Sequence, residues 1–169
     1  GGSITVLRSY EGIEGNTVEI SGGSVSVISS DDGLNATATE GTGITISGGT
    51  LYVLAGGDGV DSNSRTQYGG ILFAGGRSVI ISTGRADSSI DTERGYSYTG
   101  GYVVGIGLSG GMGNESTMCR NFSSVGKKAT LNLAAGSYLD VSGIVSVKIP
   151  SAMNALVVLL GSTSAEIAS

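Results

Sequence analysis

Short segments of apolar residues, most of them alternating with polar ones, recur along the first hundred residues. Val18-Glu19-Ile20, Ile44-Thr45-Ile46 and Ile71-Leu72-Phe73 each come just before a glycine pair, whereas Val25-Ser26-Val27 and Leu51-Tyr52-Val53 each follow one. A period of two, with β-branched residues and with glycine or serine between the segments, indicates short strands. Nothing before residue 150 shows helical spacing over a useful length. The pattern therefore predicts an all-β chain.

The glycine pairs divide these strands into repeats. The second glycines of the pairs are Gly2, Gly23, Gly49, Gly76 and Gly101, so that successive pairs are 21, 26, 27 and 25 residues apart. Self-similarity at this period is typical of a solenoid, in which each repeat forms one coil. The chain is therefore predicted to be a stack of similar coils.

An acidic turn follows each of the first three pairs at a fixed offset. It holds an acid, a glycine, an aliphatic residue and then an acid or amide. Its copies are Glu11-Gly12-Ile13-Glu14, Asp32-Gly33-Leu34-Asn35 and Asp58-Gly59-Val60-Asp61. The aliphatic residue gives each coil a third inward anchor, which predicts three flat sides and hence a parallel β-helix. We expect it to be right-handed, because parallel crossovers almost always are, and to contain about five to six coils.

The repeat loses its regularity in the C-terminal third. We expect regular coils over residues 1–104 and, in the same domain, an irregular loop, final strands and a C-terminal cap over residues 105–169. Ile144–Ile149 and Asn154–Leu160 are predicted strands of this cap. Solenoids need terminal units of different character. No such unit precedes the first coil, so we expect either missing upstream coils or another molecule that pairs there.

Composition excludes several classes of function. The net charge is -5 with no histidine, which makes nucleic acid or a phosphate-rich membrane surface an unlikely partner and removes the usual zinc ligand and general base. Cys119 is the single cysteine, so no internal disulfide can form. The apolar run Leu156–Leu160 is far too short to cross a bilayer, so no membrane insertion is expected.

The acidic turns predict a divalent cation. Stacked coils place equivalent positions above one another, and two carboxylates about 5 Å apart repel by about 1 to 3 kcal/mol. No lysine occurs before Lys127, and Arg8 is the only arginine before Arg65. Calcium accepts such oxygen ligands. The predicted ligands are Glu11, Glu14, Asp31, Asp32, Asn35, Asp58 and Asp61. The alternative is that these are solvated turn residues, since Asp-Gly and Asn are ordinary corner formers.

Several strings carry a family resemblance. Ser9–Asn16, Asp31–Ala36, Ile46–Val53 and Asp58–Ser62 resemble a family of secreted bacterial carbohydrate-binding β-helix proteins, whose members resemble pectate lyases in fold. The resemblance implies Ca²⁺ at the acidic turns, a secreted or cell-surface location, and binding of cellulose or acidic plant polysaccharides without cleavage. The chain departs from the family at Asn35, which replaces an acid, and in a lengthened acidic stretch over residues 87–91.

Tyrosines are the candidates for sugar contact. Tyr52 is predicted to point outward between inward Leu51 and Val53, and Tyr10 precedes the first acidic turn. Aromatic faces stack on sugar rings, but each of these tyrosines, taken alone, is more often a half-buried structural residue. Bound calcium offers another route, because it could bridge an acidic sugar to the acidic turns.

Other functions stay open at this point. A polysaccharide lyase would need a base beside the cation, and Arg85 and Arg94 flank the lengthened acidic stretch. A structural role is the other alternative, in which copies associate end to end into a fibre or surface layer. Asn35, Asn114 and Asn121 begin glycosylation sequons, which arise readily by chance in a chain this rich in serine and threonine.

Overall fold

The chain folds into a β-solenoid that is closed by an antiparallel C-terminal region. The computed structural model describes residues 1–64, 67–110, 115–161 and 166–168. Each of four successive coils contributes three strands. The strands are β1 (Ser3–Val6), β2 (Ile13–Gly15) and β3 (Val18–Ile20) in coil 1; β4 (Ser24–Ile28), β5 (Leu34–Ala36) and β6 (Ile44–Ile46) in coil 2; β7 (Thr50–Ala55), β8 (Val60–Ser62) and β9 (Ile71–Phe73) in coil 3; and β10 (Arg77–Ser82), β11 (Ile90–Thr92) and β12 (Tyr96–Tyr98) in coil 4.

Equivalent strands of successive coils pair in parallel and form three sheets. Sheet A contains β1, β4, β7, β10 and then β13 (Tyr102–Leu108), sheet B contains β2, β5, β8 and β11, and sheet C contains β3, β6, β9 and β12. Successive sheet A strands align Val25 with Leu51 and Tyr52 with Val79, without a slip in register. The predicted parallel β-solenoid with three flat sides is confirmed.

The number of coils differs from the expected five to six. The described chain makes four three-strand coils, and β13 adds only one side of a further coil. The free edge of β13 pairs with β17 (Met153–Leu160), which runs antiparallel to it. An antiparallel neighbour ends the parallel stacking, because the next coil would need that same edge.

Two sequence features hold the coils together. The inward aliphatic residues of all three sheets form one core, with Val27, Leu34 and Ile44 fully buried. The second glycine of each pair after the first turns the corner into sheet A with a positive φ, as at Gly49 (80°) and Gly76 (76°). L-residues with side chains rarely adopt this conformation, which explains why the pairs mark the repeat so regularly.

The C-terminal region begins after Leu108, whereas the irregular segment was expected from residue 105. Its remaining elements are α1 (Glu115–Met118), α2 (Phe122–Val125), β14 (Gly126–Leu133), β15 (Tyr138–Val141), β16 (Val145–Lys148) and β18 (Ile167–Ala168). In the described residues neither short helix is long and apolar enough to cross a membrane. β17 lies between β13 and β14 in sheet A, while β15 pairs with both β16 and β18 in a separate sheet D.

Sheet D packs on the outer face of sheet A and creates a second core. Leu139, Val141 and Val147 of sheet D pack with Ile81 and Ile106, which point out of the solenoid. The cover does not extend over coil 2, where Ser24 and Ile28 of β4 are exposed. The outer face of sheet A is therefore covered at one end and open at the other.

Candidate metal centre

The acidic turns stack in the predicted register. Glu14, Asn35, Asp61 and Asp91 occupy equivalent positions in the four strands of sheet B. The preceding turns align as well, since the backbone N–H of Gly12 donates to the carbonyl of Asp32 at 2.9 Å. We call this set of stacked acidic turns the acidic column.

The glycine inside each turn is required by space. A Cβ on Gly33 would lie 2.4 Å from the carbonyl oxygen of Gly59, and one on Gly59 would lie 2.5 Å from that of Ser89. Neither glycine has a positive φ. The chain therefore passes close to the next coil at this point, which brings the flanking side chains of successive coils together.

Three carboxylates converge between coils 2 and 3. Asp32, Asp58 and Asp61 each offer an oxygen that lies within 4.8 Å of the others. Asp32 and Asp58 come from the turns before β5 and β8, whereas Asp61 comes from β8 itself. We call these residues the Asp triad.

One oxygen of the Asp triad accepts no hydrogen bond from a donor group of the described residues. Asp61 is 3% exposed, and its Oδ2 accepts a hydrogen bond from Nδ2 of Asn63. Its Oδ1 is buried without a hydrogen bond in the described residues. Asp32 Oδ1 accepts the Asp58 N–H at 2.8 Å, and Asp58 Oδ1 accepts the Ser88 N–H at 2.6 Å. Backbone N–H groups thus hold Asp32 and Asp58 in place. Asp61 keeps one oxygen, Oδ1, that accepts no hydrogen bond from the described residues.

Burial and mutual repulsion make the Asp triad hard to ionise. Burial first, and then the negative charges of Asp58, Asp32 and Asp91, raise the pKa of Asp61 to about 8. Burial, only partly offset by the Ser88 N–H, raises the pKa of Asp58 to about 7, and burial also raises the pKa of Asp32. Groups with such pKa values hold a proton near neutral pH unless a cation replaces it.

The donor set fits a hard divalent cation. Ionised carboxylates are acceptors only, so facing oxygens need either a shared proton or a positive ion between them. Calcium takes carboxylate and carbonyl oxygens at about 2.3 to 2.6 Å, and it tolerates irregular geometry. The orphaned Oδ1 of Asp61 is an observation of this structure that such an ion would satisfy. Asp32, Asp58 and Asp61 are the residues that would hold it.

The other four predicted ligands lie outside the Asp triad. Glu14 is exposed, and Asp31 lies beside Tyr10, whose hydroxyl it hydrogen-bonds. Glu11 is partly buried, with Oε2 buried and unpaired, and it receives a hydrogen bond from the Asn35 amide. The Asn35 Oδ1 is itself buried and without a partner in the described residues. These residues continue the acidic column toward coil 1 but form no second cluster of three acids among the described residues.

Two residues of the acidic column were missed from the sequence. Asp91 occupies the slot of Asp61 in coil 4, and counting from Ile90, the inward anchor, would have found it. Gly57 contacts the acids directly, since a Cβ there would lie 2.6 Å from Asp32 Oδ1 and 2.7 Å from Asp31 Oδ1. In coil 4 the position equivalent to Asp58 holds Ser88, whose carbonyl accepts the Gly59 N–H.

The two tyrosines predicted to contact sugar differ in their surroundings. Tyr10 is 71% exposed and lines a shallow depression of about 430 Å³ with Arg8 and Ile28. Its bond to Asp31 and the nearby charge raise the pKa of the Tyr10 hydroxyl. Tyr52 does point out of the solenoid, but it is half-buried against the second core.

The sequons occupy structured positions where they are described. Asn35 lies in β5 with its side-chain oxygen buried. Nδ2 of Asn121 donates to the Tyr98 carbonyl at 2.7 Å, while its oxygen accepts the Tyr98 N–H, so a glycan on Asn121 would break this pair. Asn114 lies outside the described residues.

Comparison with protein-family models, with curated proteins and with solved structures finds no match to this chain.

Proposed function

We propose that the chain is a noncatalytic, calcium-dependent carbohydrate-binding module that acts outside the cell. The observation that carries the proposal is the convergence of Asp32, Asp58 and Asp61, which each offer a carboxylate oxygen within 4.8 Å of the others, while Oδ1 of Asp61 is buried without a hydrogen bond from the described residues. A calcium ion would satisfy that oxygen and offset the repulsion among the three acids. Affinities of about 10⁻⁴ to 10⁻³ M are sufficient for extracellular modules.

The carbohydrate part of the proposal is supported by Tyr10. Tyr10 is 71% exposed beside a depression that Arg8, Ile28 and three serines also line, and its aromatic ring provides a stacking face for a sugar ring. Asp31 links this ring to the acidic column through the Tyr10 hydroxyl. Calcium would act through that link, because fixing the acidic turns also fixes the aromatic face. We also propose that the coils are right-handed, as the sequence predicts.

The proposed noncatalytic role is supported by the surroundings of the Asp triad among the described residues. In the described part of the chain, no lysine or arginine side chain hydrogen-bonds to Asp32, Asp58 or Asp61. The causes that raise the pKa of Asp61 are burial and neighbouring acids. A lyase mechanism would need a basic group beside the ion to remove a proton from the sugar.

Calcium titration by calorimetry tests the metal part. We expect one calcium per chain and a rise in melting temperature of about 5 to 10 °C at 100 times the dissociation constant. Absence of heat and of a thermal shift at 10 mM calcium would contradict the metal site. Asp140→Asn, which removes an exposed acid of sheet D, is the matched control for Asp61→Asn.

Retention on insoluble cellulose tests the carbohydrate part with a neutral polymer. We expect retention in calcium that weakens in chelator and falls several-fold in Tyr10→Ala. Tyr138→Ala is the control, since Tyr138 is 54% exposed in sheet D, away from the acidic column. Equal retention of Tyr10→Ala and the wild-type chain would remove Tyr10 from the site. Failure to retain any polysaccharide would remove the carbohydrate function.

A further inference from the structure

A groove lies on the outer face of sheet A where the cover of sheet D ends. Its volume is about 250 Å³, and its lining includes Thr50, Tyr52, Arg77, Tyr102, Ile144 and Val145. β7, β10 and β13 supply the floor, while the segment that leads into β16 supplies one wall. This groove is separate from the acidic column, which lies along sheet B.

Register places the polar groups of the groove side by side. Thr50, Arg77 and Tyr102 occupy equivalent positions in three neighbouring strands. Neighbouring strands are about 4.8 Å apart, so that these side chains leave the sheet next to one another. Tyr52 lies two residues further along β7, on the same face. One cation, two phenol rings and a hydroxyl therefore surround a space suited to a single sugar ring.

Arg77 is held in place by its surroundings. Its Nη1 donates to the carbonyl of Ile144 at 3.2 Å, and its guanidinium carbon lies 5.8 Å from the centre of the Tyr102 ring. A guanidinium carries five N–H donors, so several remain after the bond to Ile144. A side chain fixed in this way loses little further freedom when it binds a ligand.

The charge of the groove is opposite to that of the whole chain. The described residues that line it include Arg77 but neither aspartate nor glutamate, although the net charge of the chain is -5. The planar guanidinium matches a carboxylate through two parallel hydrogen bonds. Tyr52 and Tyr102 offer flat apolar faces, and the hydroxyls of Ser24, Ser26 and Thr50 border the same space. This is the chemistry that recognises a carboxylate attached to a hydroxylated ring.

We propose that this groove binds one carboxylated sugar residue, a hexuronate, with Arg77 on its carboxylate and the tyrosines against its ring. The inference rests on the proposed carbohydrate function but assigns it a second contact that needs no calcium. Polymers that reach both the groove and Tyr10 gain affinity from the two contacts together.

The test uses trigalacturonate as the probe and its methyl ester as the neutral isostere, in chelator, by calorimetry or NMR titration. We expect the free acid to bind at least about tenfold more tightly than the ester. Arg77→Gln removes a charge-assisted hydrogen bond and should weaken binding of the acid about tenfold or more. Arg77→Lys keeps the positive charge but loses the planar guanidinium. Its affinity for the acid should lie between those of the wild-type chain and Arg77→Gln.

Two further variants separate the groove from general effects of charge and folding. Lys148→Gln removes an exposed positive charge of sheet D that does not line the groove, and it should change affinity less than about twofold. Tyr52→Ala should weaken binding about threefold to tenfold through loss of the aromatic face. Thermal melting of each variant confirms that it is folded at the titration temperature.

Equal affinity of the acid and its methyl ester, or an unchanged affinity in folded Arg77→Gln, would overturn the assignment. Failure of trigalacturonate to bind while the wild-type chain is still retained on cellulose would overturn it as well, and would leave the proposed function intact. Failure of both ligands would reject the carbohydrate function itself.

Discussion

Two neighbouring steps of the acidic column, from coil 1 to coil 2 and from coil 2 to coil 3, have the same strand pairing but differ in what their side chains can hold. Between coils 2 and 3, Asp32, Asp58 and Asp61 converge within 4.8 Å, and one buried oxygen has no hydrogen bond within the described part of the chain. Between coils 1 and 2, Glu14 is exposed and Asn35 takes the position of a third acid, with its amide donating to Glu11. The neutral Asn35 amide stands where the Asp triad has the carboxylate of Asp61, so there is one acid fewer between coils 1 and 2. Stacking alone therefore does not make a cation site, because the site also requires a surplus of negative charge.

Asp61→Asn should have the largest effect on calcium binding. It places between coils 2 and 3 the kind of amide that Asn35 supplies between coils 1 and 2. We expect calcium affinity to fall on the order of 100-fold, since the number of charged ligands sets affinity in such sites. The melting temperature in chelator should rise above about pH 8, where Asp61 is ionised and the substitution removes a buried repelling charge. Calorimetry and thermal melting measure both effects. If Asp61→Asn bound calcium with the same affinity as the control Asp140→Asn, the assignment of Asp61 as a calcium ligand would be contradicted.

The pH dependence of stability in chelator should be the next largest effect. The native pKa values of Asp58 and Asp61, about 7 and about 8, are raised above their unfolded values near 4. Between these limits the native state binds more protons than the unfolded state, so the free energy of unfolding falls as pH rises from about 4 to about 8. Asp32 and Asp91 strengthen this trend through their charges.

Saturating calcium should remove most of that fall, because the bound ion stabilises the ionised carboxylates of the native state. Urea unfolding at pH 5 and pH 8, with chelator and with calcium, measures the difference. A stability that does not change over this range in chelator would mean that the acids are not buried together.

Asn35→Asp makes the opposite change, between coils 1 and 2, and should have a smaller effect on calcium binding. It adds a carboxylate in register with Glu14 and Asp61, so we expect a second, weaker calcium to bind and the chelated protein to lose stability. Asn16→Asp adds the same charge at an exposed position, where the oxygen that accepts from Thr39 is kept. A stoichiometry that stays at one in Asn35→Asp would show that coil 1 cannot close around an ion.

Glu14→Gln should have the smallest effect. Glu14 belongs to the acidic column by register but is exposed, where water and salt screen its charge. We expect calcium affinity to change less than about threefold, as measured in the same titrations. A loss as large as that of Asp61→Asn would place the ion between coils 1 and 2.

The solenoid could be predicted because its signals are local. The glycine pairs mark corners that need a positive φ, as at Gly23 and Gly49, and the aliphatic residues at a fixed offset mark the inward anchors. Because stacking keeps equivalent positions in register, the offsets also predicted that Asp32, Asp58 and Asp61 would lie in adjacent coils. The lengthened acidic stretch of coil 4 was also visible in the sequence, and it puts Ser88 at the position that Asp58 has in coil 3.

The C-terminal arrangement could not be predicted because it depends on long-range pairing. The apolar run Val157–Leu160 is buried throughout, which a sequence can suggest, but nothing local indicates that β17 inserts antiparallel between β13 and β14. The packing of sheet D over sheet A was missed for the same reason. It half-buries Tyr52 and places Ile144 against Arg77, so the groove became visible only in three dimensions.

The most direct test of the account is a crystal structure determined from calcium-containing solution, with anomalous data to identify the ion. The account predicts a calcium ion about 2.3 to 2.6 Å from carboxylate oxygens of Asp32, Asp58 and Asp61, including Oδ1 of Asp61. Carboxylates that stay in hydrogen-bonding contact through a shared proton at saturating calcium, with the ion elsewhere or absent, would contradict it.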